Sequence, residues 1–361
     1  MRLSFFSHTA SGNAVGRVYS LWLLAEELGW DTLIHVPDSR RVWAPLQHDH
    51  YFCSRLTTSL DEATSADALV AVKPLLGSFA VALDVQRKTK QPLILDVDDP
   101  DWEWAYGSGR QALTRAVYRT LRGRPNFPVR RPGMPRREHL AAYREFRLGS
   151  KARRESAVAI SNPALARWYP GVLIPHVRLP TPVGAPPGGP GLRIAFVGTI
   201  RRHKGIDVLR AAARAVDGVR LVITADAPPD AAPHEDWVGQ TTLEAGLRIV
   251  EEADVVALPS LDTAYARYQL PVKLIDAMVA GRAIVASDLE PLRWAAEGAA
   301  LFVPPGDVES LSEALRRLCD DGLRRRLAEH GRARALAQFT PRAVAPVFAE
   351  LVERARREAR A

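Results

Sequence analysis

Between residues 192 and 287 the chain repeats one order: a short apolar run, a glycine turn, then a stretch with apolar residues at helical spacing. RIAFVGTIRRHKG opens it. Residues 193–197 are mostly apolar, Gly198 breaks the run, and Val208, Leu209 and Ala212 recur at helical spacing after Gly205. QLPVKLIDAMVAGRAIVAS repeats the order, with Pro271 before a helix over 272–280, Gly281 as its stop and an apolar strand over 283–286. Such strand–turn–helix units predict a parallel sheet, whose ligands bind where strands end and helices begin. The same pattern places further strands at 220–224, 237–239, 254–258 and 300–303, with helices at 206–216, 242–252, 310–318, 322–337 and 343–357.

The first half follows the same logic. Strands are predicted at 3–7, 31–36, 68–72, 92–97, 157–161 and 172–175, with helices from about Arg17 to Leu28 and over 79–90; residues 37–67 give no clear pattern. Residues 179–191, LPTPVGAPPGGPG, hold five Pro and four Gly, the composition of a linker. The expected fold class is α/β: two Rossmann-like domains facing a cleft, at 1–179 and 192–340, joined by a linker at 180–191. A C-terminal helix at 341–361 is expected to pack back toward the first domain.

With 361 residues the chain is long enough for two ordinary cores. No apolar run is long enough to span a bilayer, and MRLSFF has no basic stretch followed by a long apolar one, so a cytoplasmic protein is expected. Cys53 and Cys319 are the only cysteines, which excludes a disulfide framework or thiolate metal site. The net charge of +8 is local: residues 107–155 carry fourteen Arg or Lys against three Glu, leaving −3 for the rest. That segment, broken by Pro and Gly, reads as a solvated basic face, or as a contact for an acidic acceptor or the inner membrane surface. Phe127, Tyr143 and Phe146 are too few for a stacking platform, so no nucleic acid is expected. Lysine is rare, six against forty-three arginines, the bias of a GC-rich, bacterial-type coding sequence; two of the six are Lys204 and Lys273.

Those two lysines, with Arg201 and Arg202, stand close to helix starts, an arrangement that suits a diphosphate. In the first domain, Gly12 and Gly16 form G-x-x-x-G between the first strand and helix, so the dinucleotide fingerprint is absent and an oxidoreductase disfavoured, although the turn lets backbone amides approach a ligand. Asp96, Asp98, Asp99 and Asp101 follow the strand LILDV, with Trp102 and Trp104 after them. The pattern fits a metal-binding D-x-D, carboxylates that hold an acceptor or act as a base, or local caps before Pro100. His8, Asp98, Asp99 and His176 are the candidate bases.

As a set, FVGTIRRHKGIDVL (196–209), ADVVALPS (253–260), LIDAMVAGRAIVAS (274–287) and LFVPPGD (301–307) resemble the donor-binding domain of GT-B glycosyltransferases, most closely glycosyltransferase family 4. The first half resembles the family only in its glycine loop and strand order. The resemblance implies metal-independent, retaining transfer of a hexose-like sugar from a nucleoside diphosphate such as UDP. No cofactor is expected, because the nucleotide sugar is itself the substrate. By position, the family's phosphate-binding lysine falls on Lys204, while its partner arginine is replaced by Thr199, with Arg201 the nearest substitute. The family's two glutamates fall on Tyr268 and Asp276, the second a ribose contact. Donor contacts are therefore expected at Gly198, Thr199, Arg201, Lys204, Leu270, Pro271, Val272, Lys273 and Asp276, with Trp237 and Val238 at the nucleobase and Gly12 and Gly16 from the first domain. Arg201, Lys204 and Asp99 are the expected catalytic residues. His8, Asp98, Asp99 and Trp102 are expected to hold the acceptor, which is anionic or lipid-linked in this reading. An epimerase or phosphorylase of the same fold, and a non-catalytic polyanion- or nucleotide-binding protein, are the alternatives.

Overall fold

Continuous apolar strands can be buried only if both faces of a sheet are covered, and helices supply that cover in two separate units. The computed structural model describes residues 1–12, 14–106, 114, 115, 117, 147, 157–182, 184 and 191–360. The basic stretch at 107–155 lies almost wholly outside the described residues, as does much of the linker. One unit comprises Met1–Pro175 with Val344–Ala361, the other His176–Ala343.

The first unit contains β1 (Arg2–Phe6), α1 (Ala14–Glu27), β2 (Asp31–His35), α2 (His50–Ser54), β3 (Leu56–Thr57) and β4 (Ala68–Val72). It continues through α3 (Phe79–Thr89), β5 (Leu93–Val97), α4 (Asp101–Tyr106), β6 (Ala157–Ile160) and β7 (Val172–Leu173). Its sheet has the order β3-β2-β1-β4-β5-β6-β7, and its pairs are parallel. Every residue of β4 and β5 is buried. Asp96 on β5 survives there because Arg17 of α1 meets it twice, Nε to Oδ2 at 3.0 Å and Nη2 to Oδ1 at 2.6 Å, and also donates to the Ile174 carbonyl at 2.6 Å. Burial alone would push the Arg17 guanidinium down; Asp96 outweighs it and holds it above its ordinary value.

The second unit runs β8 (Leu192–Phe196), α5 (Ile206–Arg214), β9 (Val219–Ile223), β10 (Glu235–Trp237), α6 (Leu243–Glu251), β11 (Val255–Leu258), α7 (Val272–Val279) and β12 (Ala283–Ser287). After it come α8 (Glu290–Ala295), β13 (Ala300–Val303), α9 (Val308–Arg317), α10 (Asp321–Gln338) and α11 (Pro341–Arg360). The sheet order is β10-β9-β8-β11-β12-β13, again with parallel pairs. From Val344 onward α11 belongs to the first unit, where the Phe348 ring lies 6.1 Å from that of Trp30 and Arg356 lies 3.6 Å from Asp67.

The predicted elements are present, with ends shifted by up to three residues. The sequence pattern does not show α8, whose Pro291, Leu292 and Ala295 become buried where it packs on α7 and the turn Ala266–Tyr268. Nor does it show α2 or β3, which are too short for a period to register. Among the described residues no helix is long and apolar enough to cross a membrane.

Candidate functional site

In both sheets the chain fills one side first and then returns to the other, so each has a switch point, between β1 and β4 and between β8 and β11. Loops diverge at the carboxyl ends of strands there, and open α/β sheets bind ligands in that gap. In the second unit the turn after β8 is fixed by two glycines. Gly205 adopts φ +69°, and a Cβ on it would stand 1.9 Å from the Pro259 carbonyl after β11, so no other residue lets the two strand ends approach so closely. The Leu261 amide donates to the His203 carbonyl at 2.9 Å and ties the same two loops. Lys204 ends the 3-10 turn Arg202–Lys204 and donates to Gln269 Oε1, just ahead of α7.

Gly198 adopts φ +114° and its amide donates to Thr224 Oγ1 at 2.7 Å. A Cβ there would lie 2.8 Å from Lys273 Nζ, so the glycine leaves the room the ammonium occupies. Lys273 stands in the first turn of α7, whose N-cap, Pro271, has no side-chain acceptor for the first amides. Its Nζ lies 4.7 Å from the centre of the Phe196 ring. Burial, and then the charge of Lys204, push the Lys273 ammonium down to about 7, against the pull of Asp276. Asp276 lies one turn further along α7, and its Oδ1 accepts from Arg178 Nε at 2.6 Å, both side chains being nearly buried. The Arg178 amide in turn donates to the Phe339 carbonyl at 2.9 Å.

The other expected donor contacts are spread around this point. Arg201 is exposed, its carbonyl accepting from the Lys204 amide at 2.8 Å while its side chain makes no hydrogen bond or ion pair among the described residues, and Thr199 is exposed beside it. Leu270 is part of the core, so only its backbone faces outward, while Tyr268, Pro271 and Val272 are half-buried. Trp237 is held in place: its Nε1 donates to Glu235 Oε2 at 3.1 Å, and the Arg210 guanidinium lies 5.5 Å from the ring centre. Val238, next to it, is exposed. Gly16 lies inside α1, which starts three residues earlier than predicted, and a Cβ on it would meet the Trp43 ring at 3.1 Å; its smallness serves packing. Gly12 precedes that helix and packs on Thr9.

At the first unit's switch point the acids are engaged from within. Lys73, just past β4, adopts φ +69°, a strained conformation for a lysine. Its Nζ donates to Asp99 Oδ2 at 2.6 Å and to Asp101 Oδ2 at 2.9 Å, with all three side chains buried. Burial would lower the Lys73 ammonium, but Asp101, Asp99 and Asp98 together raise it above its ordinary value. Burial, followed by the Asp99 and Asp98 charges, pushes the Asp101 carboxyl up to about 7 against the pull of Lys73. His8 is pushed down to about 4 by burial and then by Lys73. Asp98 is half-buried and Trp102 buried, on α4, while His176 is buried in the second unit. No group of three or more His, Cys, Asp or Glu placed to hold a metal occurs among the described residues. Lys73, Arg178 and Thr224 are positions that sequence reading misses. Lys73 carries a signal, being one of six lysines and directly after an apolar strand; Arg178, in a proline-rich approach, carries none.

Residues 191–321, most of the second unit, match the family described as glycosyl transferases group 1. No curated protein matches the sequence. Among solved structures, sucrose-phosphate synthase from Thermosynechococcus elongatus is 18% identical over 98% of both chains, with a TM-score of 0.65. Anabaena HepE, solved with UDP and glucose, is 14% identical over 98% of this chain and all of that one, with a TM-score of 0.71. A glycosyltransferase from Rickettsia africae is 11% identical over 98% of both, with a TM-score of 0.59. The fold is that of the GT-B glycosyltransferases. The matched stretch runs from just before β8 to the first residue of α10.

Proposed function

We propose that this protein is a glycosyltransferase that takes its sugar from a nucleoside diphosphate sugar and transfers it without a metal and with retention. The observation that carries the reading is the meeting of Lys204, Lys273 and the uncapped start of α7 at the switch point between β8 and β11. Departure of a nucleoside diphosphate leaves negative charge on its phosphates; fixed ammonium groups and a helix start stabilise that charge where it forms. Lys204 is the principal donor to the leaving phosphate. UDP is the first nucleotide to try, because HepE is solved with UDP and with UDP-glucose. Trp237 and Val238 lie two strands along the sheet, at the edge assigned to the nucleobase. The acceptor belongs to the first unit's strand ends, near His8, Asp98 and Asp99. Its anionic or lipid-linked character, and work at the inner face of a membrane, rest on the basic composition of residues 107–155.

The test is a thermal-shift panel with UDP, GDP, ADP, dTDP and NAD, on the parent chain and on Lys204→Ala. A ligand at a hundredfold over its Kd stabilises by about 2.7 kcal/mol. One nucleoside diphosphate should raise Tm in the parent and fail to do so in the variant. A shift with NAD alone, or with none of them, overturns the reading.

A further inference from the structure

The last carbonyls of a helix have no partner within it. At the end of α7, those of Val279 and Ala280 are taken by two arginines that the donor reading does not use. Arg332 of α10 donates through Nη1 to the Val279 carbonyl and through Nη2 to the Thr181 carbonyl, the latter at 2.7 Å. Arg282, only 2% exposed, donates through Nε to the Ala280 carbonyl at 3.0 Å and through Nη2 to the Gly184 carbonyl. Each guanidinium thus bridges one carbonyl at the helix end to one carbonyl of the segment with which the second unit begins, at His176. A third arginine lies in that segment itself. Arg178 reaches Asp276 on α7 at 2.6 Å, and its amide donates to the Phe339 carbonyl at 2.9 Å.

The anchor points fall at 178, 181 and 184, and their spacing has a physical reason. Residues 176–182 lie in neither helix nor strand. Pro180 and Pro182 fix their own φ, hold Leu179 and Thr181 toward extended backbone and have no amide to donate. An extended, proline-bearing run repeats a face about every three residues, and without internal hydrogen bonds its carbonyls need outside donors. Guanidinium groups suit the task, because their rigid fork of N–H groups serves two acceptors at once. A slack chain would leave those carbonyls to water; here they are held at a helix end by cations that are buried or half-buried.

We propose that residues 176–182 with Gly184 form a strap, clamped to the C-terminal end of α7 by Arg282 and Arg332, whose hold is coupled to nucleotide at the start of the same helix. α7 is 8 residues long, so one short rigid body joins its first turn to the carbonyls that the two arginines hold. A nucleotide that fixes the start of the helix favours the clamped strap, and by linkage the clamped strap favours the nucleotide to the same degree. Arg282 and Arg332 are positioning residues that act through the backbone of α7.

The clamp stands on its own contacts and only the coupling rests on the donor reading above, so the experiment reads the two separately. Full-length protein is digested briefly with trypsin, and the cut after Arg178 is followed by mass spectrometry against the cut after Arg214, in the last turn of α5. Arg178 is nearly buried, so trypsin reaches it only when the strap lets go, and the rate follows the population of the open form. Arg282→Met and Arg332→Met should each speed that cut about tenfold, and the double variant more, while the cut after Arg214 changes little. Arg332→Lys, which keeps the charge but not the fork, should fall in between. Saturating UDP should slow the cut after Arg178 about fivefold in the parent, and should bind the double variant about fivefold more weakly by calorimetry. Variants cut after Arg178 at the parental rate, or at both sites in parallel, overturn the strap. UDP that binds without slowing the cut overturns the coupling. A nucleotide panel without any shift in Tm removes the donor reading and the coupling with it, while selective cutting of the variants still decides the clamp.

Discussion

A buried lysine, Lys73, and a half-buried one, Lys273, stand near the switch points of the two sheets and experience opposite fields. Lys73 is ringed by Asp98, Asp99 and Asp101, which raise its ammonium above the ordinary value against the effect of burial. Lys273 has a second lysine for a neighbour and its aspartate engaged by Arg178, so it sits at about 7. The same side chain, at similar places in similar folds, thus serves two purposes. A lysine whose counter-ions are built in fixes a loop; a lysine denied its counter-ion is poised to accept one from a ligand.

Variants test this contrast by breaking one side at a time. The largest effect is expected from Lys73→Met, which leaves buried carboxylates without their cation: about 3–5 kcal/mol of unfolding free energy is lost, read by urea denaturation. A variant as stable as the parent would show the acids to be solvated and the contrast empty. Lys204→Ala comes next, with turnover of nucleotide sugar reduced about 10²- to 10³-fold at near-parental stability, measured as kcat on folded protein. Together these two variants separate a cation that holds the fold from one that holds the substrate.

Lys273→Met acts in the opposite sense on stability. A lysine whose folded pKa lies below its unfolded value binds fewer protons folded than unfolded, so its burial cost is full below about 7 and fades as pH rises toward the ordinary lysine range. The variant should therefore raise the Tm of the empty protein most at pH 6 and least near pH 10. An increase that does not depend on pH would mean that Lys273 does not titrate there. The smallest effect is expected from Asp101→Asn. A carboxyl raised to about 7 binds more protons folded than unfolded, so the parent loses stability as pH climbs from about 4 to 7. The amide should gain Tm relative to the parent over that window in a pH-resolved melt, and a constant difference would count against the raised carboxyl.

Much of this architecture was legible from hydrophobic period alone. Continuous apolar runs such as ALVAV and AIVAS are buried on both faces, and only a covered parallel sheet offers two. Gly198 and Gly205 could be marked as turns, but the neighbours that make them necessary, Lys273 and the Pro259 carbonyl, come from 75 and 54 residues away in the sequence, and no local pattern encodes such distances. The acids at 96–101 were visible as a cluster, whereas their division into one pair with Arg17 and another with Lys73 depends on which face of β5 and which loop each one reaches.

What the sequence by itself determined is the set of elements, their parallel arrangement and the concentration of cations at two strand ends, because these follow from periodicity and composition over neighbouring residues. Which carboxylate goes to which cation was decided only by tertiary structure. Asp276 reads as a ligand contact or a helix partner until Arg178, 98 residues earlier, is seen beside it. Electrostatic roles depend on distance and burial, and both are properties of the folded chain rather than of its local sequence.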